Sequence, residues 1–241
     1  MSAPRQRGEL VLGHKAYLKI PHLPGSRTGS KDRFMPREQA RWLTHACKSK
    51  HVVVVQEKLD GSCVAVTKKA GDIIALGREG YRVSESQNPG RLMFGRWVET
   101  QRARFDSLLR EGEWVVGEWL ALAHSTRYAL KHEAFVLFDL CELREGAIHA
   151  FSTEVTDARV AGGFARPHVV HRGDAISVEA VDAALGAHGF HGALDRVEGA
   201  VWRLEKGDGV VLRGKFVRPG KTDGALLPEN SGQPAVWNWR D

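Results

Sequence analysis

A run of four valines leads directly into a charged turn in residues 52–62, VVVVQEKLDGS. Consecutive β-branched residues favour a buried strand, and such a strand fixes the backbone of the lysine that follows. Asp60 and Gly61 come shortly after Lys58, and a glycine lets the chain turn sharply where a ligand approaches. The charged end of this strand has two interpretations. It is either a solvated strand end before a turn or a lysine held in place for chemistry.

The segments on either side of this stretch alternate between short strands and short helices. Pro36 suits the start of a helix that runs to about Ser49. Residues 62–69 and 73–76 predict an antiparallel hairpin with its turn at Gly71. Apolar residues recur at helical spacing over 89–110 and 177–188, and further strands are predicted over 114–120, 135–140, 147–151, 200–204 and 209–217. These elements predict an α+β fold with mainly antiparallel sheets and flanking helices.

The overall charge favours a phosphate-rich partner. The chain has 241 residues, a formal net charge of +6 and an isoelectric point near 9.4, and lysine and arginine displace counterions from nucleic acid. No apolar run is long enough to cross a membrane and the N-terminus lacks the apolar core of a secretory signal, so a cytoplasmic protein with no membrane partner is predicted. Cys47, Cys63 and Cys141 fit neither a disulfide framework nor a zinc motif, which predicts buried reduced thiols.

Six segments resemble, in order along the chain, the motifs of the covalent nucleotidyltransferases. This family contains the ATP-dependent DNA and RNA ligases and the mRNA capping enzymes. The segments are EKLDG at 57–61, GREGY at 77–81, VGEWL at 116–120, FVLFDL at 135–140, VEGAV at 197–201 and the basic strand 210–218. Within the family, GEWL and the early HLPGSR at 22–27 look like the small ATP-dependent RNA ligases of bacteria and phages.

The resemblance implies a site as well as a fold. The fold is an ATP-grasp-like nucleotidyltransferase (adenylation) domain of the ligase type. The implied ATP-binding residues are Gln56, Glu57, Lys58, Asp60, Gly61, Arg78, Glu118, Phe138, Glu198, Arg213 and Lys215. The catalytic residues among them are Lys58, Glu198 and Lys215. Phe138 offers a flat face to the purine, and the carboxylates of Glu118 and Glu198 suit a divalent metal, Mg²⁺ or Mn²⁺.

Taken without the resemblance, the same residues have structural interpretations. Glu118 and Glu198 also suit solvated strand ends, and Phe138 also suits the core. Arg213 and Lys215 lie two residues apart on one face of a strand, which is the pattern of a solvated face as well. Trp237 and Trp239 alternate with polar residues and either cap a sheet edge or stack on a base.

The chemistry sets a requirement on the pKa of Lys58. Attack on ATP needs a neutral amine, whereas free lysine has a pKa of about 10.4. Nearby cations disfavour the charged amine and lower its pKa. We therefore expect Arg78, Arg213, Lys215 and a bound divalent metal to converge on Lys58 and to lower its pKa.

The motif order also predicts the domain organisation. Residues 1–241 are expected to form a single nucleotidyltransferase domain with an N-terminal segment (1–50), a catalytic core (51–218) and a short tail (219–241). The 23 residues after Arg218 are too few for the OB-fold that many ligases append there, so no OB-fold is expected. Either the N-terminal segment replaces its function, or a partner protein supplies the OB-type or end-healing function. Residues 22–27 of that segment are interpreted as an ordered loop or a phosphate-contacting turn.

The expected reaction joins 3′-hydroxyl and 5′-phosphate RNA ends through a lysyl-AMP intermediate, as in RNA repair. The expected partner is RNA, as broken ends or a nicked duplex. Two alternatives stay open: a minimal ATP-dependent DNA nick ligase, and a non-catalytic relative that only binds nucleic acid.

Overall fold

Two antiparallel sheets form the protein, as seen in a computed structural model that describes residues 8–30, 32–46 and 50–240. The first sheet has the strand order β7-β1-β8-β9 and the second the order β3-β2-β4-β5-β6. The strands are β1 (Val52–Lys58), β2 (Ser62–Lys69), β3 (Asp72–Gly77), β4 (Trp114–Trp119), β5 (Phe135–Arg144), β6 (Ala147–Ala150), β7 (Val169–Gly173), β8 (Gly199–Lys206) and β9 (Gly209–Val217). The predicted α+β class is confirmed, and every strand range assigned in the described residues belongs to one of the two sheets.

Short helices flank the sheets. They are α1 (Arg37–Thr44), α2 (Pro89–Thr100), α3 (Arg102–Leu108), α4 (Thr153–Val160), α5 (Val178–Leu185) and α6 (Pro228–Ser231). No helix in the described parts of the chain has the length and apolar composition needed to cross a membrane.

Several predicted boundaries were wrong. Strand β1 continues to Lys58, so the lysine is the last strand residue. Helix α1 ends at Thr44, and residues 47–49 with Cys47 lie outside the described residues. The predicted helix over 89–110 is two helices, because Gln101 leaves helical geometry and its N–H bonds to the carbonyls of Trp97 and Val98. Helices α4 and α6 and strand β7 were not predicted.

The core under the second sheet is aromatic. Helices α2 and α3 place Phe94, Trp97 and Phe105 against Trp119 and Phe135, with ring centroids 5.3 Å apart for Phe94–Trp119 and 5.4 Å for Trp97–Phe135. A Cβ at Gly117 would lie 2.3 Å from the Phe135 ring, so only glycine allows this packing next to Glu118.

The chain crosses from one sheet to the other directly after Lys58. Residues 59–61 connect β1 of the first sheet to β2 of the second. A Cβ on Gly61 would come 2.5 Å from the carbonyl oxygen of Trp119, so glycine is required for the crossing. The lysine is thereby held at the junction of the two sheets.

The C-terminal residues pack on the second sheet. The Trp239 ring lies 5.5 Å from the Trp119 ring, and Trp237 forms a β-bridge with Leu122. Both tryptophans pack against the core under this sheet. Trp119 belongs to the central strand β4, so these contacts are not the predicted capping of a sheet edge. Cys141 is a buried free thiol as predicted, whereas Cys63 is only partly buried.

Candidate active site

A cavity of about 440 Å³ lies between the two sheets at the point where the chain crosses. The structure brings nearly all of the predicted site residues to it. Those lining the cavity are Gln56, Glu57, Lys58, Asp60, Gly61, Arg78, Glu118, Phe138, Glu198 and Lys215. Residues separated by more than 150 positions therefore meet in one space, and Arg213 alone of the predicted set is not in the lining.

Lys58 is paired with Glu198. The Lys58 Nζ atom donates to Glu198 Oε2 at 2.6 Å and lies 3.3 Å from the carbonyl oxygen of Leu59. Strand pairing explains the contact, because Lys58 is opposite Gly199 in the β1–β8 ladder. Glu198 immediately precedes that glycine, so its carboxylate lies beside the end of β1.

Two more carboxylates complete this cluster. Glu118 is opposite Cys63 in the β2–β4 ladder, and its Oε1 atom accepts a hydrogen bond from the Gly61 N–H at 3.0 Å. Asp60 Oδ2 accepts from the Ser125 N–H at 2.9 Å and from its hydroxyl at 2.5 Å. One lysine thus faces three carboxylates.

The protein's own side chains do not lower the Lys58 pKa as expected. Burial does lower it, but the charges of Glu198, Glu118 and Asp60 outweigh burial and raise the pKa above the ordinary value of lysine. The sequence argument counted cations, whereas the side chains nearest to the amine are acids. The protein's own groups therefore favour the ammonium form of Lys58.

A divalent cation fits the carboxylates of Glu118 and Glu198. Burial, together with the charges of Glu198 and Asp60 and against that of Lys58, raises the pKa of Glu118 to about 8, so negative charge is under-compensated here. In the described ranges no three His, Cys, Asp or Glu side chains form a complete metal cage. Mg²⁺ typically uses one or two protein carboxylates and completes its shell with water and substrate phosphates.

Phe138, Gln56 and Glu57, which are expected to contact the purine of ATP, all line the cavity. Phe138 is half-buried, and its ring centroid lies 5.1 Å from that of Tyr17 at an angle of 60°. The Glu57 N–H bonds to the carbonyl of His168, so it is already used. The buried Gln56 Nε2 has no hydrogen-bond partner among the described residues. From the sequence, the backbone around Gln56 and Glu57 is expected to hydrogen-bond to the edge of the base, and this stays a prediction. The side-chain amide of Gln56 adds an unpaired donor in the same place.

The two predicted arginines differ in position. Arg78 follows β3, lines the cavity and donates to the carbonyl of Tyr17 at 3.4 Å. Arg213 instead pairs with the fully buried Asp139 at 2.9 Å, which also pairs with Arg203 at 2.6 Å. Arg213 is therefore engaged in a link between the sheets, and its predicted contact with ATP remains a prediction.

The structure adds residues that sequence reasoning missed. The Asp60 N–H donates to the hydroxyl of Tyr128 at 3.1 Å. His124 lines the cavity and its Nε2 atom lies 3.2 Å from Ser62 Oγ. Their spacing to the lysine segment carries no sequence signal, because the contacts arise from the pairing of distant strands.

The two-sheet fold with a lysine at the sheet junction is of the covalent nucleotidyltransferase type. A family model described as RNA ligase matches residues 51–217, well over half of the sequence, so the chain belongs to the RNA ligase family. No curated protein matches the sequence.

Solved structures share the fold at low identity. The Naegleria gruberi RNA ligase with PPi superposes with a TM-score of 0.58 at 15% identity, over 96% of this chain and 64% of that one. A mutant of the same ligase with AMP and Mn gives 0.52 at 14%, over 85% and 60%. An archaeal ATP-dependent RNA ligase gives 0.51 at 17%, over 83% and 48%. This chain therefore spans less than two thirds of the length of these ligases.

Proposed function

We propose that this protein is an ATP-dependent RNA ligase that joins 3′-hydroxyl and 5′-phosphate ends through AMP linked to Lys58. The single observation that carries the proposal is the position of Lys58. It ends a buried strand, pairs with Glu198 and faces a cavity lined by residues of both sheets. Family membership and the shared fold give the same reaction class.

In the proposed reaction the Lys58 amine, after loss of a proton, attacks the α-phosphorus of ATP. The nitrogen–phosphorus bond forms as the bond to pyrophosphate breaks, which leaves AMP on the lysine. A 5′-phosphate oxygen then attacks this AMP and releases Lys58. Finally a 3′-hydroxyl attacks the activated 5′-phosphate, so that the strand is closed and AMP leaves.

The residues around Lys58 have matching roles in this proposal. Glu118 and Glu198 would hold Mg²⁺ or Mn²⁺, which would neutralise phosphate charge and compete for the carboxylates that now favour the ammonium. Lys215 would stabilise charge that develops on the phosphates. The Naegleria gruberi mutant with AMP and Mn supports the choice of nucleotide and metal class.

We further propose that residues 1–241 act as one nucleotidyltransferase domain on broken RNA in the cytoplasm, with a partner protein for end-healing. The net charge of +6 supports a nucleic-acid substrate. The alternatives are a DNA nick ligase and a non-catalytic relative. The first alternative is tested with two matched nicks, one with a ribose and one with a deoxyribose at the 3′-hydroxyl end, and efficient sealing of the deoxyribose nick would favour a DNA ligase. Absence of AMP labelling on the lysine would identify the second.

The central experiment is incubation with α-labelled ATP and Mg²⁺, followed by denaturing electrophoresis. We expect label on the wild-type protein and none on Lys58→Ala. Lys68→Ala is the matched control, because Lys68 pairs with Asp106 on the surface, outside the cavity lining, and it should label normally. An unlabelled wild type, or label that persists on Lys58→Ala, contradicts the proposal. Labelling by GTP as efficient as by ATP would favour a capping-type enzyme.

A further inference from the structure

The N-terminal segment forms one wall of the cavity. It lies beside β9, where the Lys215 N–H donates to the Pro21 carbonyl at 3.0 Å and the Leu23 N–H donates to the Lys215 carbonyl at 2.8 Å. This pairing is a parallel bridge between His22 and Lys215. Residues paired across strands present their side chains to the same face, and both side chains line the cavity.

The same pairing continues to Arg27. The Val217 N–H donates to the Ser26 hydroxyl at 2.9 Å, and the Arg27 N–H donates to the Val217 carbonyl at 2.9 Å. The backbone of residues 21–27 is therefore fixed against the strand that carries Lys215. The cation of Arg27 is positioned by a sheet edge and not by a free loop.

Cations outnumber carboxylates on this wall. Lys19, Arg27 and Lys215 line it together with Asp32 and Asp223, and no salt bridge to Lys215 is recorded among the described residues. Burial and the neighbouring Lys215 lower the pKa of His22, so it contributes a neutral hydrogen-bonding ring. This contrasts with the surroundings of Lys58, where three carboxylates face one amine.

The two carboxylates occupy positions that an anionic ligand would take. Asp223 Oδ1 accepts from Arg27 Nη1 at 2.9 Å. Asp32 lies 3.3 Å from His22 Nε2 and 3.9 Å from Lys19 Nζ. Arg27, Asp223, Lys19 and Asp32 are partly or fully exposed, whereas His22 is buried. Ion pairs between exposed side chains contribute little, so a phosphate can replace Asp223 on Arg27, or Asp32 on Lys19, at small cost.

Geometry assigns this wall to the distal phosphates of ATP. With the base at Phe138 and the α-phosphorus at Lys58, the β- and γ-phosphates need a cationic surface beyond the carboxylates of the Lys58 cluster. The other arginines of the lining are Arg78, Arg91 and Arg203. Arg203 is held by Asp139, whereas Arg78 follows β3 and Arg91 belongs to α2, both on the side of the second sheet.

We propose that Lys19, His22 and Arg27 of the N-terminal segment, with Lys215, bind the β- and γ-phosphates of ATP and receive the pyrophosphate that leaves. The inference rests on the proposed function. When the α-phosphorus–oxygen bond breaks, its electron pair remains on the pyrophosphate oxygen, and the cations stabilise that charge. The N-terminal segment would thus replace the function of the OB-fold that many ligases append. This is the first of the two possibilities that the sequence analysis left open.

The test compares one nucleotide that has the β- and γ-phosphates with one that lacks them. α,β-Methylene-ATP carries them but cannot release pyrophosphate, and AMP lacks them. Each nucleotide is titrated into the protein by calorimetry in the presence of Mg²⁺. The Arg27→Gln substitution should raise the dissociation constant of α,β-methylene-ATP about tenfold, as expected for losing a hydrogen bond to a charged group. AMP binding should stay as in the wild type. Arg102→Gln is the matched control, because Arg102 pairs with Glu99 and Asp72 outside the cavity.

A second variant probes the carboxylate exchange from the other side. Asp223→Asn removes the anion that competes for Arg27, so α,β-methylene-ATP should bind more tightly while AMP binding is unchanged. Equal loss of both nucleotides in Arg27→Gln, no loss of either, or weaker α,β-methylene-ATP binding in Asp223→Asn overturns the inference. Labelling of the wild-type protein by α-labelled ATP tests the proposed function separately, so the two failures are distinguishable.

Discussion

Two clusters of buried charge connect the sheets, and they are balanced differently. In the first, which we call the Asp139 cluster, Arg203 and Arg213 both pair with Asp139, and Arg203 also pairs with Glu205 at 3.0 Å. Two cations meet two carboxylates there. In the second, the Lys58 cluster, a single amine faces Glu198, Glu118 and Asp60. One cluster satisfies its own charges and the other does not.

The imbalance separates a structural role from a functional one. A buried charge is tolerated when partners and hydrogen bonds compensate for it, as in the Asp139 cluster, where Asp139 is fully buried and its pKa is lowered by the two arginines against the effect of burial. In the Lys58 cluster the pKa of Glu118 is raised to about 8. Such perturbed groups in a cavity are typical of sites that bind a cation or carry out chemistry.

The largest effect is expected from breaking the balanced cluster. Asp139→Asn leaves two buried guanidinium groups without their carboxylate, so the free energy of unfolding should fall by about 3–5 kcal/mol. Urea denaturation measures this loss. Asp195→Asn is the control, because its pair with Arg127 is on the surface and should contribute less than about 1 kcal/mol. Similar losses in both variants would show that the Asp139 cluster does not stabilise the link between the sheets.

Removing a carboxylate from the unbalanced cluster should affect rate more than stability. Glu198→Gln is expected to slow labelling by α-labelled ATP by about 10²–10³-fold, the usual cost of one preorganised electrostatic group. Its unfolding free energy should change much less than that of Asp139→Asn, because fewer buried carboxylates then face Lys58. Glu113→Gln alters a buried glutamate that pairs with Arg159 outside the cavity, and its folded fraction should label at the wild-type rate. Normal labelling of Glu198→Gln would refute the assigned role.

The sequence was sufficient for the elements and motif order but not for the charge balance. Strands, their antiparallel pairing and the lysine at a strand end follow from local patterns. The pairing of Arg213 with Asp139 could not be predicted, because the two residues are 74 positions apart. The alternation of residues along β9 shows which face of the strand Arg213 lies on but not which side chain it contacts. The sign of the Lys58 pKa shift was missed for the same reason, since it depends on which side chains three separate strands bring together.

The N-terminal segment shows where sequence reasoning was partly adequate. Residues 22–27 were interpreted as an ordered loop or a phosphate-contacting turn, and the structure places His22 and Arg27 in the cavity lining. Their attachment to β9 could not be foreseen, because a parallel bridge between His22 and Lys215 joins residues 193 positions apart. Contact with phosphate itself remains a prediction.

Glu57 supplies an intermediate case, a buried carboxylate that no recorded salt bridge among the described residues neutralises. Burial raises its pKa from 4.5 to about 7, against a hydrogen bond from the Phe190 N–H. The unfolded chain therefore loses this proton at lower pH than the folded protein does. Stability from this group is present below about pH 4.5 and is lost as the pH rises to about 7, and the loss is about 2–3 kcal/mol.

The measurement is urea denaturation of wild type and Glu57→Gln at both ends of that range. The difference between the two proteins isolates Glu57 from other titrating groups. The wild type should lose unfolding free energy between the lower and the upper pH because Glu57 ionises. The variant lacks this loss, so its stability relative to wild type should rise with pH. A pH dependence identical in both proteins would show that Glu57 titrates normally in the fold.

The smallest effect concerns Phe138, which belongs to neither charge cluster but follows Leu137 and precedes Asp139 on β5. Stacking on an aromatic face is worth about 1–3 kcal/mol per base and does not distinguish purines. Phe138→Ala should therefore weaken ATP binding while the preference for ATP over GTP is kept, since base-edge hydrogen bonds such as one from the Gln56 amide would set that preference. The readout is the dependence of Lys58 labelling on the concentration of each nucleotide. Phe34→Ala, which removes an exposed ring outside the cavity lining, should leave both dependences unchanged. If Phe138→Ala also leaves them unchanged, Phe138 packs as core between Tyr17 and the sheet, and the Asp139 cluster next to it then positions no base platform.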